Sequence, residues 1–383
     1  MPMPMITDTL ALEMACKRLA RFDYVTIDTE FMREMTFFPR LCLIQLAGPD
    51  ESVIIDPLAP DLDLSSFLAL MRNPKVTKVF HAGRQDIEIL WYLDKCIPSP
   101  VFDTQIAAMV CGYGDSVSYE QLAHDLANAK IDKSSRFTDW SQRPLTEAQL
   151  SYAQSDVTFL RDVYRALLAN LEKTGRRHWL DEEMQVLTSP STYELDPDNA
   201  WQRLKGRVRK PKELAVLIEV AALREREARS RDVPRGRILK DDAMIDIAVS
   251  APRSAEALGR LRSIPSGFGR SRIGAELIEC VERGLLRDPK ALPSQVKVER
   301  KPYSGATVEL LKVLLRMISD SERVASKIVS TVDDLEAIAS DDNADVHALR
   351  GWRREVFGQK ALDLKHGKLA LAMDNGKIVL FPR

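Results

Sequence analysis

Residues 25–31 constrain this chain most, because they place two carboxylates inside an otherwise apolar β-strand. Their β-branched residues, and the polar break before them, predict the strand. Side chains alternate across a strand, so Asp28 and Glu30 point to one face and Thr29 points to the other. Burying two ionised acids is costly unless something neutralises them, and Mg²⁺ and Mn²⁺ prefer carboxylate oxygens. This stretch alone fits equally a metal-binding strand and a solvated edge strand with two ordinary acids.

Two further acidic signals follow along the chain. Asp86 lies in the first turn of a predicted helix, where the helix dipole alone would favour an acid. Thr146 and Gln149 form a capping-box pattern at the start of a long helix. On that helix Tyr152 and Asp156 are four residues apart and share one face. A carboxylate with a phenol one turn before it can hold a metal and orient its water, whereas a surface Tyr–Asp pair is the simpler alternative.

The order of the other predicted elements indicates an α/β domain. We expect further strands at residues 40–47, 52–56, 75–80 and 101–102, and helices over residues 8–20, 64–72 and 84–93. On the first helix, Leu10, Met14 and Leu19 are expected to face inward. Short connections predict that the first three strands form an antiparallel meander, and helices and strands then alternate. This order predicts a mixed sheet with helices on both faces.

Composition excludes several classes of protein. The net charge is −1, so the overall balance indicates no particular partner. The five cysteines are scattered without a CxxC pair, which argues against structural zinc and fits a reduced, cytoplasmic protein. The N-terminus lacks the basic region of a signal peptide, and no apolar stretch is long enough to span a membrane. No glycine-rich phosphate loop is present, so we expect no nucleotide cofactor.

Taken together, the three acidic signals resemble the motifs of the DEDD superfamily of 3′→5′ exonucleases, in the subclass whose last motif carries tyrosine. The order Asp-x-Glu, Asp and Tyr-x3-Asp falls on strand, helix and helix. Residues 28–45, 80–86 and 140–157 are similar to the three motifs of RNase D and their flanks. The resemblance covers the first half of the chain and implies a ribonuclease-H-like exonuclease domain over residues 1–187.

The resemblance also implies a chemistry and a partner. Two metal ions about 3.5–4 Å apart can activate a water and stabilise the leaving oxygen of a phosphodiester. Two divalent cations, Mg²⁺ or Mn²⁺, would be held by Asp28, Glu30, Asp86 and Asp156, and Tyr152 would orient the water. The implied substrate is RNA with a free 3′ end, transfer RNA precursors in particular, cut to 5′-mononucleotides. Because four carboxylates repel one another, we expect metal to raise the thermal stability.

Four other residues are candidates for substrate contact. Phe31 follows the acidic strand and could stack on the terminal base, although a core phenylalanine fits equally. His81 and Gln85 flank the second motif and could contact sugar or phosphate, the alternative being a structural histidine. Arg143 could bind a backbone phosphate or form a surface ion pair.

The second half of the chain predicts two helical domains. Between Arg203 and Lys240 there are 13 Lys and Arg against 5 acids, an excess that can attract a phosphate backbone, although a solvated helical face is the alternative. Residues 200–287 resemble the all-α HRDC domain, a nucleic-acid-binding module of RNase D and of RecQ-type helicases. A linker rich in proline and charge spans residues 288–302.

The last segment, residues 302–383, contains a faint repeat of the preceding domain. The pattern of residues 237–248 recurs 91 positions later, which predicts a second, divergent HRDC-like domain. This segment lacks the dense basic cluster, so its expected role is packing. Near its end, Asp374-Asn375-Gly376 is typical of a hairpin turn, with a helix as the alternative.

The function that fits best is a monomeric, cytoplasmic exoribonuclease similar to RNase D, with helical modules that position RNA. One alternative is a DNA-directed 3′→5′ exonuclease, because the same acids can cut DNA. The other alternative is a catalytically silent nucleic-acid-binding protein. The presence of all five motif residues argues against that alternative.

Overall fold

The computed structural model describes residues 5–293 and 302–383 of the chain; residues 294–301 of the predicted linker lie outside them. The strands of the first domain are β1 (Met5–Ile6), β2 (Tyr24–Met32), β3 (Arg40–Ala47), β4 (Ser52–Ile55), β5 (Thr77–Phe80) and β6 (Val101–Asp103). Its helices are α1 (Thr9–Leu19), α2 (Ser65–Arg72), α3 (Arg84–Asp94), α4 (Thr104–Val110), α5 (Tyr119–Ala127), α6 (Glu147–Thr174) and α7 (Asp181–Leu187).

These strands form one mixed sheet in the order β1-β4-β3-β2-β5-β6. The meander β2-β3-β4 is antiparallel, as predicted, whereas β5 and β6 extend the sheet in parallel beside β2. Helices α1, α2 and α3 pack on one face, and α4 and α6 pack on the other. The acidic strand β2 is therefore central, and its C-terminal half lies between α3 and α6.

Two details of the first domain differ from prediction. Strand β1, which pairs in parallel with β4, was not expected because two residues carry no periodic signal. The predicted apolar face of α1 was wrong in part: Leu19 is buried, but Leu10 is 66% and Met14 54% exposed, and Leu12, Ala15 and Cys16 are buried instead. Apolar residues occur on all sides of this helix, so two different sets of them fit the helical period. Contact with the sheet decides that the set containing Leu12, Ala15 and Cys16 is the buried one.

Lys78 is a fully buried cation on β5, and its ammonium group donates to the carbonyls of Asn73, Val76 and Ser99. We expect Lys78→Met to lower the free energy of unfolding by about 3 kcal/mol, because three buried carbonyls lose their donor. Urea denaturation measures this loss. The control is Lys75→Met, an exposed lysine just before the same strand; equal loss in both variants would contradict the role assigned to Lys78.

The second helical region is built around its own apolar core. Its helices are α8 (Pro211–Ser230), α9 (Arg235–Ile238), α10 (Asp241–Ser250), α11 (Ala255–Gly259) and α12 (Arg272–Leu286). Phe37, from the loop between β2 and β3, also packs into this core. Short 3-10 helices occur at Arg177–Leu180, Pro190–Thr192, Pro197–Arg207, Phe268–Arg270, Pro289–Ala291 and His347–Leu349.

The third region is not all helical, which corrects the prediction. Its helices are α13 (Gly305–Glu322), α14 (Ser326–Val329), α15 (Val332–Ser340), α16 (Gly351–Arg353) and α17 (Gln359–Lys365), with a π-helical turn at Arg354–Gly358. A hairpin of β7 (Leu369–Asp374) and β8 (Lys377–Pro382) follows. Asn375 and Gly376 both have positive φ, which is what the two-residue turn of such a hairpin requires.

The third region shares a core with the exonuclease domain. The rings of Trp179 and Trp352 stack with centroids 4.1 Å apart. The buried Arg353 side chain forms ion pairs with Glu182 and Glu183. Among the helices of the described ranges, none is long and apolar enough to cross a lipid bilayer.

Candidate active site

Three carboxylates converge at the centre of the sheet. Asp28 and Glu30 project from β2 toward α6, and Asp156 projects back from α6. One oxygen from each of the three lies within 4.8 Å of the others. The helix is fixed against the strand because the Thr26 hydroxyl donates to the carbonyl of Val157 at 2.8 Å. The spacing of acids on β2 and the docking of α6 thus produce the cluster together.

The fourth acid, Asp86, enters from the opposite side. It lies in the first turn of α3, is buried, and is not one of the three acids within 4.8 Å of one another. Thr29 points to the α3 face of the sheet, as predicted, and its hydroxyl donates to Asp86 Oδ1 at 2.5 Å. Sequence reasoning missed this role of Thr29, because the two residues are 57 positions apart.

Because the Thr29 hydroxyl orients Asp86, we expect Thr29→Val to lower kcat about tenfold, the lower end of the effect of removing such a supporting hydrogen bond. Valine keeps the shape and the strand propensity, so thermal stability should change little. Initial rates on an RNA oligonucleotide measure the effect, and Thr29→Ser should keep most of the activity. Equal kcat for Thr29→Val and the unmodified protein would show that the bond is not needed.

The site is electrostatically uncompensated as it stands. Burial, followed by repulsion from the neighbouring carboxylates, raises the pKa of Asp28 and Glu30 well above the usual range. Burial also raises the pKa of Asp86 to about 6 and that of Asp156 to about 7. In the part of the chain that the structure describes, none of the four forms an ion pair with a basic side chain. Buried, unpaired carboxylate oxygens are the donor set that hard divalent cations require, so the residues fit such ions.

Tyr152 lies one turn before Asp156 on α6, and its phenol, beside the Asp156 carboxylate, offsets part of the effect of burial on the pKa of that group. Burial and the nearby carboxylates raise the pKa of the Tyr152 phenol above its ordinary value of 10. The phenol is therefore neutral at physiological pH, so it can act as a hydrogen-bonding group and not as a base.

These residues line a pocket of about 500 Å³. Three predicted substrate contacts lie in its wall: Phe31, His81 and Gln85. The His81 ring bonds through Nδ1 to the Thr104 hydroxyl at 3.0 Å, and burial lowers its pKa, which favours the neutral imidazole. Phe31 also packs against the core that the sheet forms with α1, α2 and α3. A core contact and stacking on the terminal base are therefore both compatible with its position.

Arg143 lies outside this pocket. Its guanidinium forms two hydrogen bonds to Asp56, of 2.6 and 2.7 Å, and donates to the carbonyls of Cys42, Trp140 and Gln142. The alternative of an ion pair is the one observed, although the pair is largely buried. Because its hydrogen-bond donors all bond to groups of the protein itself, Arg143 connects the segment before α6 to the sheet.

Several residues of the pocket were not predicted. Tyr119, Lys133, Arg136 and Phe137 all line it. The last three belong to the irregular segment between α5 and α6, where no periodicity indicates which side chains face inward. Lys133 forms an ion pair with Glu120, another residue of the pocket wall.

The dense basic run of the second half is not a free cationic surface. Within the described residues, seven of its 13 cations form ion pairs with acids of the same domain or of the segment just before it. These are Arg207, Lys210, Arg224, Arg226, Arg229, Arg231 and Arg235. Arg224 is only 5% exposed. A linear count of charges overstates the field at the surface, because three of these partners, Asp198, Asp241 and Asp242, lie outside the counted run.

The fold and the pocket define the class of protein: a nuclease with a cluster of acids on a ribonuclease-H-like mixed sheet. A family model described as 3′-5′ exonuclease matches residues 3–172, and one described as HRDC domain matches residues 213–281. Ribonuclease D of Nitrobacter hamburgensis is 58% identical over 381 residues, which cover 100% of both chains. Ribonuclease D of Bartonella henselae is 49% identical over 98% of this chain and 93% of that protein.

The comparison with solved structures agrees. The crystal structure of Escherichia coli RNase D, described as an exoribonuclease involved in structured RNA processing, matches with a TM-score of 0.84 at 28% identity. The match covers 96% of this chain and 99% of that chain. The chain belongs to the ribonuclease D family of 3′→5′ exoribonucleases. The resemblance read from the motifs is thereby confirmed, as is the HRDC domain in the second half.

Proposed function

We propose that this protein removes nucleotides one at a time from the 3′ end of RNA, using two divalent cations, Mg²⁺ or Mn²⁺, and releasing 5′-mononucleotides. The observation that carries the proposal is the convergence of buried and half-buried carboxylates without ion-pair partners in one pocket, with a neutral phenol beside them. Such a cluster is costly for the folded protein unless cations occupy it.

In this proposal Asp28, Glu30, Asp86 and Asp156 hold the cations, and Thr29 fixes the orientation of Asp86. When bound, the two cations would acidify the attacking water and offset negative charge on the departing 3′ oxygen. The water oxygen bonds to phosphorus as the bond from phosphorus to the 3′ oxygen breaks. The Tyr152 hydroxyl lines the same pocket beside Asp156, where it is placed to form a hydrogen bond with the attacking water.

We further propose that the substrates are structured RNAs with single-stranded 3′ ends, transfer RNA precursors among them, and that the protein acts as a monomer in the cytoplasm. The RNase D relatives support the RNA substrate. Five free cysteines, four of them buried, support a reducing compartment. Four exposed arginines of the HRDC domain, for which the described residues supply no acidic partner, could contact the body of the RNA: Arg253, Arg260, Arg262 and Arg270.

The domain boundaries also remain a proposal: an exonuclease domain at residues 1–187, an HRDC domain at 200–287 and a second, divergent HRDC-like domain at 302–383. The separate core of the second region supports the first boundary. The order of five helices in each helical region supports the kinship of the two. The third region differs from the HRDC domain in two ways: it ends in a hairpin, and it shares a core with the exonuclease domain.

One experiment tests the activity directly. A 5′-labelled single-stranded oligonucleotide, as RNA and as matched DNA, is incubated with Mg²⁺ or with chelator. A metal-dependent ladder that shortens from the 3′ end of RNA supports the proposal. Faster loss of DNA would identify a DNA-directed exonuclease, and binding without shortening of either strand would leave a silent nucleic-acid-binding protein.

Metal should stabilise the protein in a pH-dependent way. In the metal-free protein the raised pKa values of Asp86 and Asp156 mean that the folded state binds protons more tightly than the unfolded state. Ionisation of the cluster therefore lowers stability as pH rises from about 4 to about 7. Cations bind the ionised form, so we expect the increase in Tm on adding Mg²⁺ to be small at pH 5 and largest near pH 8. An increase that is equal at both pH values, or absent, would contradict a preformed site; differential scanning calorimetry measures it.

A further inference from the structure

The segment between α5 and α6 forms an anchored loop above the acid pocket. Ser135 is buried, and its carbonyl accepts a hydrogen bond of 2.8 Å from the Thr138 hydroxyl. The side chain of Gln149, part of the capping box of α6, donates to the same Thr138 hydroxyl at 3.1 Å. Trp140 is buried just beyond. The loop is thus attached to the helix that carries Tyr152 and Asp156, and the two residues between its anchors are presented outward.

Arg136 is the first of these two residues. It is exposed, it lines the acid pocket, and its positive charge lowers the pKa of both Glu30 and Asp156. Lys133, the other cation of the pocket wall, is paired with Glu120. Arg136 has no acidic partner among the described residues, so its guanidinium faces the site with its hydrogen-bond donors available.

Phe137 is the second residue, and it is 90% exposed. Its ring lies at the pocket rim with the Arg136 guanidinium 5.1 Å from its centroid. An apolar ring of this size gains little from water, whereas every nucleic-acid base offers a flat surface on which it can stack. The contact with Arg136 limits the orientations that both side chains can take.

We propose that Arg136 and Phe137 form a clamp on the 3′ end of the substrate. Arg136 binds a non-bridging oxygen of the phosphate that is cut, and Phe137 stacks on the base of the penultimate nucleotide. The inference rests on the proposed function and adds two substrate contacts to it. The pocket, about 500 Å³, has room for the terminal nucleotide, so the rim is where the next base lies.

The charge balance of the site supports the role of Arg136. Four carboxylates and two divalent cations sum to zero, while the phosphodiester, already singly negative, gains a second negative charge as the attacking water releases its proton to solvent. A guanidinium facing Glu30 and Asp156 is placed to neutralise that additional charge, which is greater in the transition state than in the bound substrate. Arg136 should therefore act on kcat, and Phe137, which contacts a base that does not react, should act on binding.

The test uses RNA with 2-aminopurine at the penultimate or the terminal position, bound in Ca²⁺ under conditions where a gel shows no hydrolysis, together with kinetics in Mg²⁺. We expect Phe137→Ala to raise Kd and KM about tenfold and to abolish quenching of the penultimate probe only. Phe137→Tyr should restore the quenching. Arg136→Gln should lower kcat about 100-fold while Kd changes less than about threefold, with partial recovery in Arg136→Lys.

The matched control is Lys130→Gln, which removes a cation from the same segment but outside this pocket. If Arg136→Gln affects only salt-dependent binding, to the same extent as Lys130→Gln, the contact with the reacting phosphate is overturned. If Phe137→Ala leaves the quenching of the penultimate probe unchanged, the stacking is overturned. Absence of hydrolysis by the unmodified protein would instead count against the proposed function itself.

Discussion

Asp156→Asn is expected to lower the rate of hydrolysis at least about 10³-fold while it stabilises the metal-free protein. An amide cannot supply the negative oxygen that a divalent cation requires, and 10³ corresponds to about 4 kcal/mol of lost transition-state stabilisation. The folded state, however, holds Asp156 with a pKa of about 7, so its ionised form is unfavourable. Removing that charge should raise the free energy of unfolding in chelator by about 2 to 4 kcal/mol at pH 8.

The sign of the stability change identifies the cause. Because the pKa is raised, the penalty is present above about pH 7 and disappears below the ordinary carboxyl pKa near 4, so the gain in Asp156→Asn should vanish in acid. Urea denaturation at pH 8 and at pH 4, with chelator, measures it. Asp246→Asn is the control, since that acid is exposed on α10 of the HRDC domain. Loss of stability in Asp156→Asn at pH 8 would mean that the cluster is compensated by other means.

Tyr152→Phe is expected to lower kcat about 100-fold without changing the affinity for RNA. The phenol lies beside Asp156 in the pocket, and phenylalanine keeps its ring beside Trp140. Losing a group that orients the attacking water costs this much when it acts only in the chemical step. Steady-state kinetics, with binding measured separately in Ca²⁺, separate the two effects.

The pH dependence shows which role Tyr152 plays. Its pKa lies above the ordinary value of 10, so it does not titrate in the working range, and the variant should keep the shape of the pH profile at a lower rate. Disappearance of one limb of the profile would show that the phenol acts as a base. Tyr164→Phe is the matched control: it makes the same change on the same helix, where the ring packs against Tyr24 and Phe102.

Both helical regions contact loops of the exonuclease domain. Phe37, five residues beyond the end of β2, is buried in the core of the HRDC domain, and its amide donates to Asp232 there at 3.0 Å. From the third region, the amide of Lys327 donates to Asp115 at 3.0 Å, immediately before Ser116 in the pocket wall. The exonuclease domain is therefore supported on two sides by parts of the chain that contribute no carboxylate to the cluster.

The sequence predicted most of the fold and the acids of the site because both depend on short-range pattern. Alternation placed Asp28 and Glu30 together, and the helical period placed Tyr152 beside Asp156. The contact of Thr29 with Asp86 joins residues 57 apart, and that of Arg143 with Asp56 joins residues 87 apart. No local pattern encodes either pairing, so the role of Thr29 was missed and Arg143 was left open between a phosphate contact and an ion pair.

The lack of a local pattern also explains why the pairing in the basic run and the role of the pocket loop were not predicted. The linear charge count already included Glu225, the partner of Arg235, but not Asp241, which lies on α10 and pairs with Arg224. Arg136 and Phe137 lie in a segment without periodicity, whose direction is set by anchors at Thr138 and in α6. Tertiary contacts decide which charges and rings face the substrate.

The most direct test of the two-metal site replaces one non-bridging oxygen of the 3′-terminal linkage of an RNA oligonucleotide with sulfur. Magnesium binds sulfur poorly, whereas manganese accepts it more readily. For one of the two diastereomers, we expect hydrolysis in Mg²⁺ to fall by at least about tenfold and to recover in Mn²⁺, because cations held by the acid cluster contact that oxygen. Equal rates for both diastereomers in both metals, or hydrolysis that persists in chelator, would show that the acids do not work through bound cations.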